Sequence, residues 1–136
     1  MLQVRQIMTT KIVTVEMDDK LTVVKEIFDH LKLHHLLVVE NDKLFGVLSD
    51  RDLLRALSPN LGKLSETAKD AETLHKRVHQ VMTRKPITLP PEAAITDAVN
   101  LLISRSISCI PIVDEHFKPV GIVSWRDVMK ALAAKK

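Results

Sequence analysis

The chain has 136 residues, 46% of them hydrophobic, and its 20 basic and 17 acidic side chains give a formal net charge of +3. A chain of this size can bury one core or two small cores packed on each other, and its apolar residues fall in runs too short to span a bilayer. The charges form no basic block, and one tryptophan, three phenylalanines and no tyrosine offer few stacking groups. This composition argues against nucleic-acid binding.

The cysteine count and the start of the chain predict where the protein resides. Cys109 is the single cysteine, which excludes an internal disulfide and a zinc site built on thiolates. The N-terminal residues 1–5 enter the first repeat at once, which is expected to leave no room for a signal peptide. Together these features predict a cytoplasmic protein.

The first half of the chain predicts the order strand, helix, strand, strand, helix. The apolar segment Ile12–Val15 is typical of a short strand, and apolar residues at helical spacing predict a helix from Leu21 to Leu31, capped by Asp18 or Asp19. The elements that follow are a strand at 36–39, a turn at Asn41-Asp42, a strand at 44–48 that completes a hairpin, and a helix at 50–57.

The second half repeats this order after a connecting segment. Residues 58–62 contain proline and glycine and break the regular structure, and helical spacing predicts a linker helix from Ser65 to about Met82. The expected elements beyond it are a strand at 87–89, a helix that begins at Pro90-Pro91, a strand at 110–113, a strand that ends at residues 121–123, and a helix from 125 to about 134.

One seven-residue motif occurs twice. Residues 46–52 read Gly-Val-Leu-Ser-Asp-Arg-Asp, and residues 121–127 read Gly-Ile-Val-Ser-Trp-Arg-Asp, so that two of the chain's three glycines open the two copies. Each copy predicts the end of a buried strand and the start of a helix, with serine as the cap and aspartate in the first turn. Exposed amide groups and the positive end of the helix dipole favour an anion such as a phosphate there.

The duplication extends over most of the chain. A shift of 74 residues aligns Met8-Thr9 with Met82-Thr83 and residues 36–39 with 110–113, and one extra residue after Val113 brings the two motifs into register. Two copies of this length indicate a duplicated small domain. The prediction is an α/β protein of two β-α-β-β-α repeats, at residues 1–57 and 78–136, joined by a partly helical linker at 58–77.

This combination resembles the cystathionine-beta-synthase (CBS) domain pair, also called a Bateman module. The marks are the tandem Gly-h-h-Ser-x-x-Asp segments (h is aliphatic), the two Met-Thr openings, and residues 109–113, which read Cys-Ile-Pro-Ile-Val. Among stand-alone members, the chain is similar to the AcuB group of acetoin utilisation. The resemblance implies two pseudo-twofold-related repeats with two clefts between them, where family members commonly bind AMP, ADP, ATP or S-adenosylmethionine.

The resemblance also implies roles for residues in the clefts. The aspartate that closes each motif would accept hydrogen bonds from both ribose hydroxyls, the serine would bind the phosphate, Thr9 and Thr83 would lie near the phosphates, and Val13 or Ile87 would flank adenine. One cleft would join Ser124, Arg126 and Asp127 to Thr9, Lys11, Val13, Leu33 and His34. The other would join Ser49, Arg51 and Asp52 to Thr83, Lys85, Ile87, Ile107 and Ser108.

Simpler interpretations of these residues stay open. Ser49 and Asp52 could form a helix cap and nothing more. An arginine in the first helical turn opposes the helix dipole, so Arg51 and Arg126 require an anionic partner, either a ligand phosphate or a nearby carboxylate. Adjacent residues on a strand point to opposite faces, so His34-His35 does not predict a metal site.

The sequence contains none of the usual catalytic motifs. It has no Gly-x-Gly-x-x-Gly, Walker loop, nucleophile elbow or recognisable Cys-His pair, so we expect neither an enzyme nor a required cofactor. We expect a regulatory module that binds an adenine nucleotide and acts through a partner protein, with no membrane partner. The alternatives are a ligand-free structural or dimerisation module and a nucleic-acid binder.

The last helix of each repeat predicts self-association. Both carry more apolar side chains than a lone small domain should leave in water, which predicts a homodimer through these helices. Trp125 has three interpretations, as a stacking partner for a base, a packing residue or a dimer contact. The other apolar residues of the two helices are Leu53, Leu54, Leu57, Val128, Met129 and Leu132.

Overall fold

In the computed structural model, which describes residues 2–134, the chain folds into two compact units of mixed α/β structure. The first unit contains residues 14–40 and 45–84, and the second contains residues 2–13, 41–44 and 85–134. Strands and helices alternate through both units, so the predicted α/β class is confirmed.

The first unit is built on a four-stranded sheet with the strand order β1-β2-β3-β4. The strands are β1 (Thr14–Val15), β2 (His35–Glu40), β3 (Lys43–Ser49) and β4 (Thr83–Arg84), and the first two residues of β3 are among those assigned to the second unit. β1 is parallel to β2, and β3 is antiparallel to β4. The predicted hairpin turn is present, because Asn41 and Asp42 have φ values of 50° and 65°, the left-handed conformation that a two-residue turn requires. The predicted strand at 12–15 is shorter than expected, and β4 was not predicted.

Two helices of the first unit follow the predicted pattern. α1 (Leu21–His30) packs against α2 (Asp50–Ala56), and Leu21 of α1 is fully buried. The predicted cap of α1 is wrong, because the N-cap residue is Lys20 and no side chain caps the helix. The Asp19 carboxylate instead accepts the backbone N–H of Glu16 at 2.8 Å and closes the preceding turn.

The predicted continuous linker helix is also wrong. The segment contains α3 (Ala68–Glu72), a 3-10 turn at Thr73–His75 and α4 (Val78–Val81). The helix breaks because residues 76–78 pair with residues 19–21: Leu21 N–H donates to Lys76 O at 2.9 Å, and Val78 N–H donates to Asp19 O at 2.8 Å.

The second unit combines an antiparallel strand pair with two helices. Its elements are β5 (Cys109–Val113), β6 (Pro119–Ser124), α5 (Ile95–Ser104) and α6 (Trp125–Ala134). The predicted strand at 87–89 is reduced to one bridge between Leu89 and Ile112. α5 begins after Pro90-Pro91 rather than at it, because Pro90 O accepts the N–H of Ala93 at 3.1 Å and forms a turn first. The core of this unit consists of Val4, Ala98, Leu102, Ile110, Ile112, Val123 and Val128.

The segment that opens the chain packs in the second unit, beside the second repeat. Its 3-10 helix (Val4–Gln6) buries Val4 completely, and Val4 N–H donates to Ala93 O at 2.8 Å. The corresponding segment before the second repeat packs in the first unit through α4 and β4. Each Met-Thr pair therefore shares a unit with the motif of the other repeat. No helix within residues 2–134 is long and apolar enough to cross a membrane.

Candidate functional site

The second motif forms the junction between β6 and α6. Ser124 ends β6, and Asp127 lies in the first turn of α6. The backbone N–H of Ser124 donates to Oδ2 of Asp127 at 2.9 Å, and the Ser124 hydroxyl donates to the same oxygen at 3.2 Å. These two bonds fix the Asp127 carboxylate, which is half-buried, at the start of the helix.

Thr9 brings a second hydroxyl to this carboxylate. Its Oγ1 donates to Oδ1 of Asp127 at 2.8 Å. The Thr9 backbone is held in place by two bonds with Ile122, since Thr9 N–H donates to Ile122 O at 2.9 Å and Ile122 N–H donates to Thr9 O at 3.0 Å. Two of the predicted site residues, far apart in the sequence, are thus in direct contact.

The first motif makes a reciprocal cap at α2. Ser49 N–H donates to Oδ2 of Asp52 at 2.9 Å, and Asp52 N–H donates to Oγ of Ser49 at 3.1 Å. The interpretation of these residues as a helix cap is therefore confirmed. A carboxylate has two oxygens with about four acceptor sites, so the cap is compatible with a ligand on the same aspartate.

Each motif begins with glycine because a Met-Thr segment crosses it. A Cβ atom at Gly121 would lie 2.5 Å from the sulfur of Met8 and 3.1 Å from the backbone oxygen of Thr9. At Gly46 the corresponding distances are 2.7 Å to the sulfur of Met82 and 2.9 Å to the backbone oxygen of Thr83. The close approach sets the threonine beside the motif in each unit.

The cations of the candidate site form no ion pair within residues 2–134. Arg51, Arg126, Lys11 and Lys85 are exposed, and within residues 2–134 none of them lies within 4.0 Å of a carboxylate oxygen. A carboxylate was one of the two anionic partners considered for the two arginines. The described residues do not provide such a carboxylate for either arginine.

His34 pairs with the residue beside the first arginine. Its Nδ1 lies 2.8 Å from Oδ2 of Asp50, and Asp50 N–H donates to His34 O at 3.0 Å. The side chains retain 74% and 39% of their exposure, so this is a surface pair. His34 is thereby placed at the N-terminus of α2, in the unit of Asp52.

His35 is a residue of this region that the sequence reasoning did not select. It begins β2 and is half-buried, and burial lowers the pKa of His35 below its usual value. The nearby carboxylates of Asp50 and Asp52 oppose this effect, and His34 adds to it. The only signal for His35 in the sequence is its position next to His34, and this pair is considered above only as a possible metal site.

The remaining predicted site residues lie in both units. The apolar residues proposed to flank adenine are all half-buried: Val13, Leu33, Ile87 and Ile107. Leu33 belongs to the first unit, whereas Lys85 and Ser108 belong to the second. Lys85 adopts φ 48°, a left-handed conformation that its sequence counterpart Lys11 does not share. Their assignment to ligand clefts stays a prediction.

A metal centre has no visible basis in the described part of the chain. Among residues 2–134, no three His, Cys, Asp or Glu side chains are grouped so that they could hold a metal ion. Cys109 is buried in β5, in register with Ser124.

Both repeats match a known family. The family model of the CBS domain matches residues 4–59 and again residues 78–134. The chain belongs to the CBS domain family. Its two matches identify it as a tandem CBS pair, which confirms the resemblance noted in the sequence.

Similar proteins and structures agree with this assignment. A CBS domain-containing protein of Dictyostelium discoideum is 30% identical over 131 residues, which cover 95% of this chain and 90% of that protein. The crystal structure of CBSX2 in complex with AMP is 28% identical with a TM-score of 0.81, and the match covers 100% of both chains. The crystal structure of an acetoin utilization protein (AcuB) from Vibrio cholerae is 24% identical with a TM-score of 0.79, covering 98% of this chain and 92% of that one. Because its identity is only 24%, the AcuB structure shows that the fold is shared and nothing more.

Proposed function

We propose that this CBS pair is a regulatory module that binds an adenine nucleotide or a related adenosyl compound and acts through a partner protein. The observation that carries the proposal is the grouping of five polar residues in the second unit. They are Thr9, Lys11, Ser124, Arg126 and Asp127, and we refer to them as the Asp127 site.

The chemistry of the Asp127 site suits a ribose phosphate. The Asp127 carboxylate has acceptor sites for a vicinal diol beyond those used by Ser124 and Thr9. Arg126 and Lys11 are cations without a protein carboxylate in the described part of the chain. Arg126 lies in the first turn of α6, where the helix dipole favours an anion. The similarity to CBSX2, a protein crystallised with AMP, supports the same ligand class.

The arrangement favours binding over catalysis. The Ser124 hydroxyl donates to a carboxylate, and the motif provides no imidazole to take its proton, as a nucleophilic serine would require. The ligand would act as a signal: it shifts the population of conformations according to its differential affinity for them.

A direct test identifies the ligand. Small molecules released from the purified protein by denaturation would be analysed by mass spectrometry, and the stripped protein would be titrated with AMP, ADP, ATP and S-adenosylmethionine. We expect an adenosyl compound in the released fraction and a rise in melting temperature with at least one titrant. No released nucleotide and no shift with any of the four would reject the proposal.

The second candidate is a dimerisation module, and the exposed apolar side chains of α6 favour it. Trp125, Met129 and Leu132 are 40%, 59% and 61% exposed, at positions that share one face of the helix. Leu53 and Val128, which the sequence suggested for the same contact, are instead buried in the cores. Dimerisation is compatible with ligand binding and is tested separately below.

A further inference from the structure

The methionine of each Met-Thr opening holds its sulfur against the glycine that opens a motif. The sulfur of Met8 lies so close to Gly121 that a Cβ atom there would be 2.5 Å from it, and the sulfur of Met82 would be 2.7 Å from a Cβ at Gly46. The two contacts differ in their access to water. Met82 is only 8% exposed, whereas Met8 is half-buried. A small reagent from solvent therefore reaches Met8 more readily than its counterpart in the repeat.

Met8 is connected to the Asp127 site through its neighbour in the chain. Its side chain packs against the core of the second unit. The next residue, Thr9, pairs with Ile122 through two backbone hydrogen bonds, and the Thr9 hydroxyl donates to Oδ1 of Asp127 at 2.8 Å. A change at the Met8 sulfur is therefore one residue away from a bond that orients the carboxylate of the site.

The sulfur in this contact is an atom that a mild oxidant can modify. Hydrogen peroxide transfers one oxygen atom to a thioether: the O–O bond breaks, an S–O bond forms, the sulfur loses two electrons, and the peroxide leaves as water. The sulfoxide is polar, and burying its oxygen without a hydrogen bond is costly. The core side chains against which Met8 packs are apolar and donate no hydrogen bond. An oxidised Met8 side chain must therefore turn towards water.

We propose that Met8 is an oxidation site that makes the Asp127 site sensitive to peroxide. Sulfoxide formation withdraws the Met8 side chain from Gly121, loosens the Met-Thr opening beside the second motif, and lowers the affinity of the site for its ligand. Sulfoxide reductases reverse the modification. The effect on affinity rests on the proposed function, whereas the loosening of the second unit does not.

Methionine-to-leucine variants test this role with hydrogen peroxide as the probe. Met8→Leu removes one of the chain's five methionine sulfurs at nearly constant volume and keeps the others. Met17→Leu is the matched control, because Met17 is also half-buried. Peptide mass spectrometry after peroxide treatment gives the sulfoxide fraction at each methionine. We expect Met129, which is 59% exposed, to be oxidised first, and Met8 to be oxidised well before Met82.

Thermal melting and AMP titration measure the consequence. Peroxide should lower the melting temperature of the unmodified protein and of Met17→Leu by about 4 °C, and their AMP affinity by at least about fivefold. Met8→Leu should keep both values after the same treatment, and sulfoxide reductases should restore them in the other two proteins. If Met8→Leu does not fold, a time course on the unmodified protein decides, because both losses should follow the sulfoxide fraction at Met8 and not that at Met129.

The outcomes separate the inference from the function on which it rests. Equal losses in Met8→Leu and the unmodified protein, or a Met8 that stays reduced while Met129 is fully oxidised, would overturn the inference. Unchanged melting and AMP affinity in protein whose Met8 is oxidised would overturn it as well and leave the proposed function standing. If AMP binds neither the reduced nor the oxidised protein, the proposed function fails and the effect on affinity fails with it, whereas a fall in melting temperature confined to proteins that contain Met8 still supports the loosening.

Discussion

The hydroxyl of Thr9 donates to Oδ1 of Asp127 at 2.8 Å, a bond that joins residues 118 positions apart. It connects the Met-Thr opening of the first repeat to the motif of the second. The bond exists because the opening segment packs in the second unit, where the backbone of Thr9 pairs with Ile122. Asp127 is thus oriented by its own motif and by the other repeat's opening segment.

Removing the Thr9 hydroxyl should weaken the second unit. Thr9→Val keeps the shape of the side chain but loses the bond to Asp127, and we expect a loss of about 0.5–1.5 kcal/mol in the free energy of unfolding. Thr83→Val is the matched control, since the Thr83 hydroxyl has no such bond with Asp52 in the described structure. Urea unfolding of both variants without ligand measures the difference. Equal losses would contradict this account of the Thr9–Asp127 bond.

The two motif glycines should differ in their tolerance of alanine. At Gly46 the added Cβ would lie 2.9 Å from the backbone oxygen of Thr83, which cannot move without its strand, and 2.7 Å from Met82. At Gly121 the severe contact is with the flexible side chain of Met8, and the backbone oxygen is 3.1 Å away. Gly46→Ala should therefore cost about 1–3 kcal/mol, and Gly121→Ala should cost less. Denaturant titrations measure the free energy of unfolding of both variants. A larger loss for Gly121→Ala than for Gly46→Ala would contradict the prediction, because it would mean that the Met8 side chain cannot move aside.

The half-buried imidazole of His35 should make stability depend on pH. Because burial lowers the pKa of His35 in the folded protein, the unfolded chain binds a proton first as pH falls. The neutral imidazole contributes fully to the free energy of unfolding above pH 6.5, the usual pKa of histidine. This contribution is lost as the pH falls below 6.5 towards the lowered pKa of His35 in the folded protein. The melting temperature should fall more between pH 7 and about 5.5 for the unmodified protein than for His35→Gln. Parallel curves for the two proteins would contradict this prediction.

The exposed face of α6 should mediate a homodimer. Light scattering at micromolar concentration should give twice the monomer mass, because isolated small domains rarely leave such apolar residues in water. Met129→Glu should shift the protein to monomers, since a charge would be buried in the contact. Ile103→Glu, at a 63% exposed position of α5, is the control and should leave the mass unchanged. A monomeric unmodified protein would contradict the dimer.

The sequence predicted most of the elements because their signals are local. The Asn41-Asp42 turn, the amphipathic α1 and the motif helices α2 and α6 each depend on residues close together in the chain. The repeat then supplied the family, because two copies of the same strand-helix junction are far more specific than one.

The errors occurred where distant segments decide the local structure. The linker helix breaks at Lys76 and Arg77 because this segment pairs with residues 19–21, and β4 forms because β3 offers an edge at Gly46 and Val47. The pairing of His34 with Asp50 likewise depends on how β2 meets α2, and helical or strand spacing carries no signal for it.

The central claim, that the Asp127 site binds an adenine nucleotide, is tested most directly by titrating AMP into the unmodified protein and into Asp127→Asn. Asparagine keeps an acceptor for the backbone N–H of Ser124, so the helix start is retained, but the charge and one diol acceptor are lost. The account predicts binding to the unmodified protein and a loss of about 1.5–3 kcal/mol, roughly tenfold or more in affinity, for the variant. Equal AMP affinity in the two proteins, or no binding to the unmodified one, would contradict it.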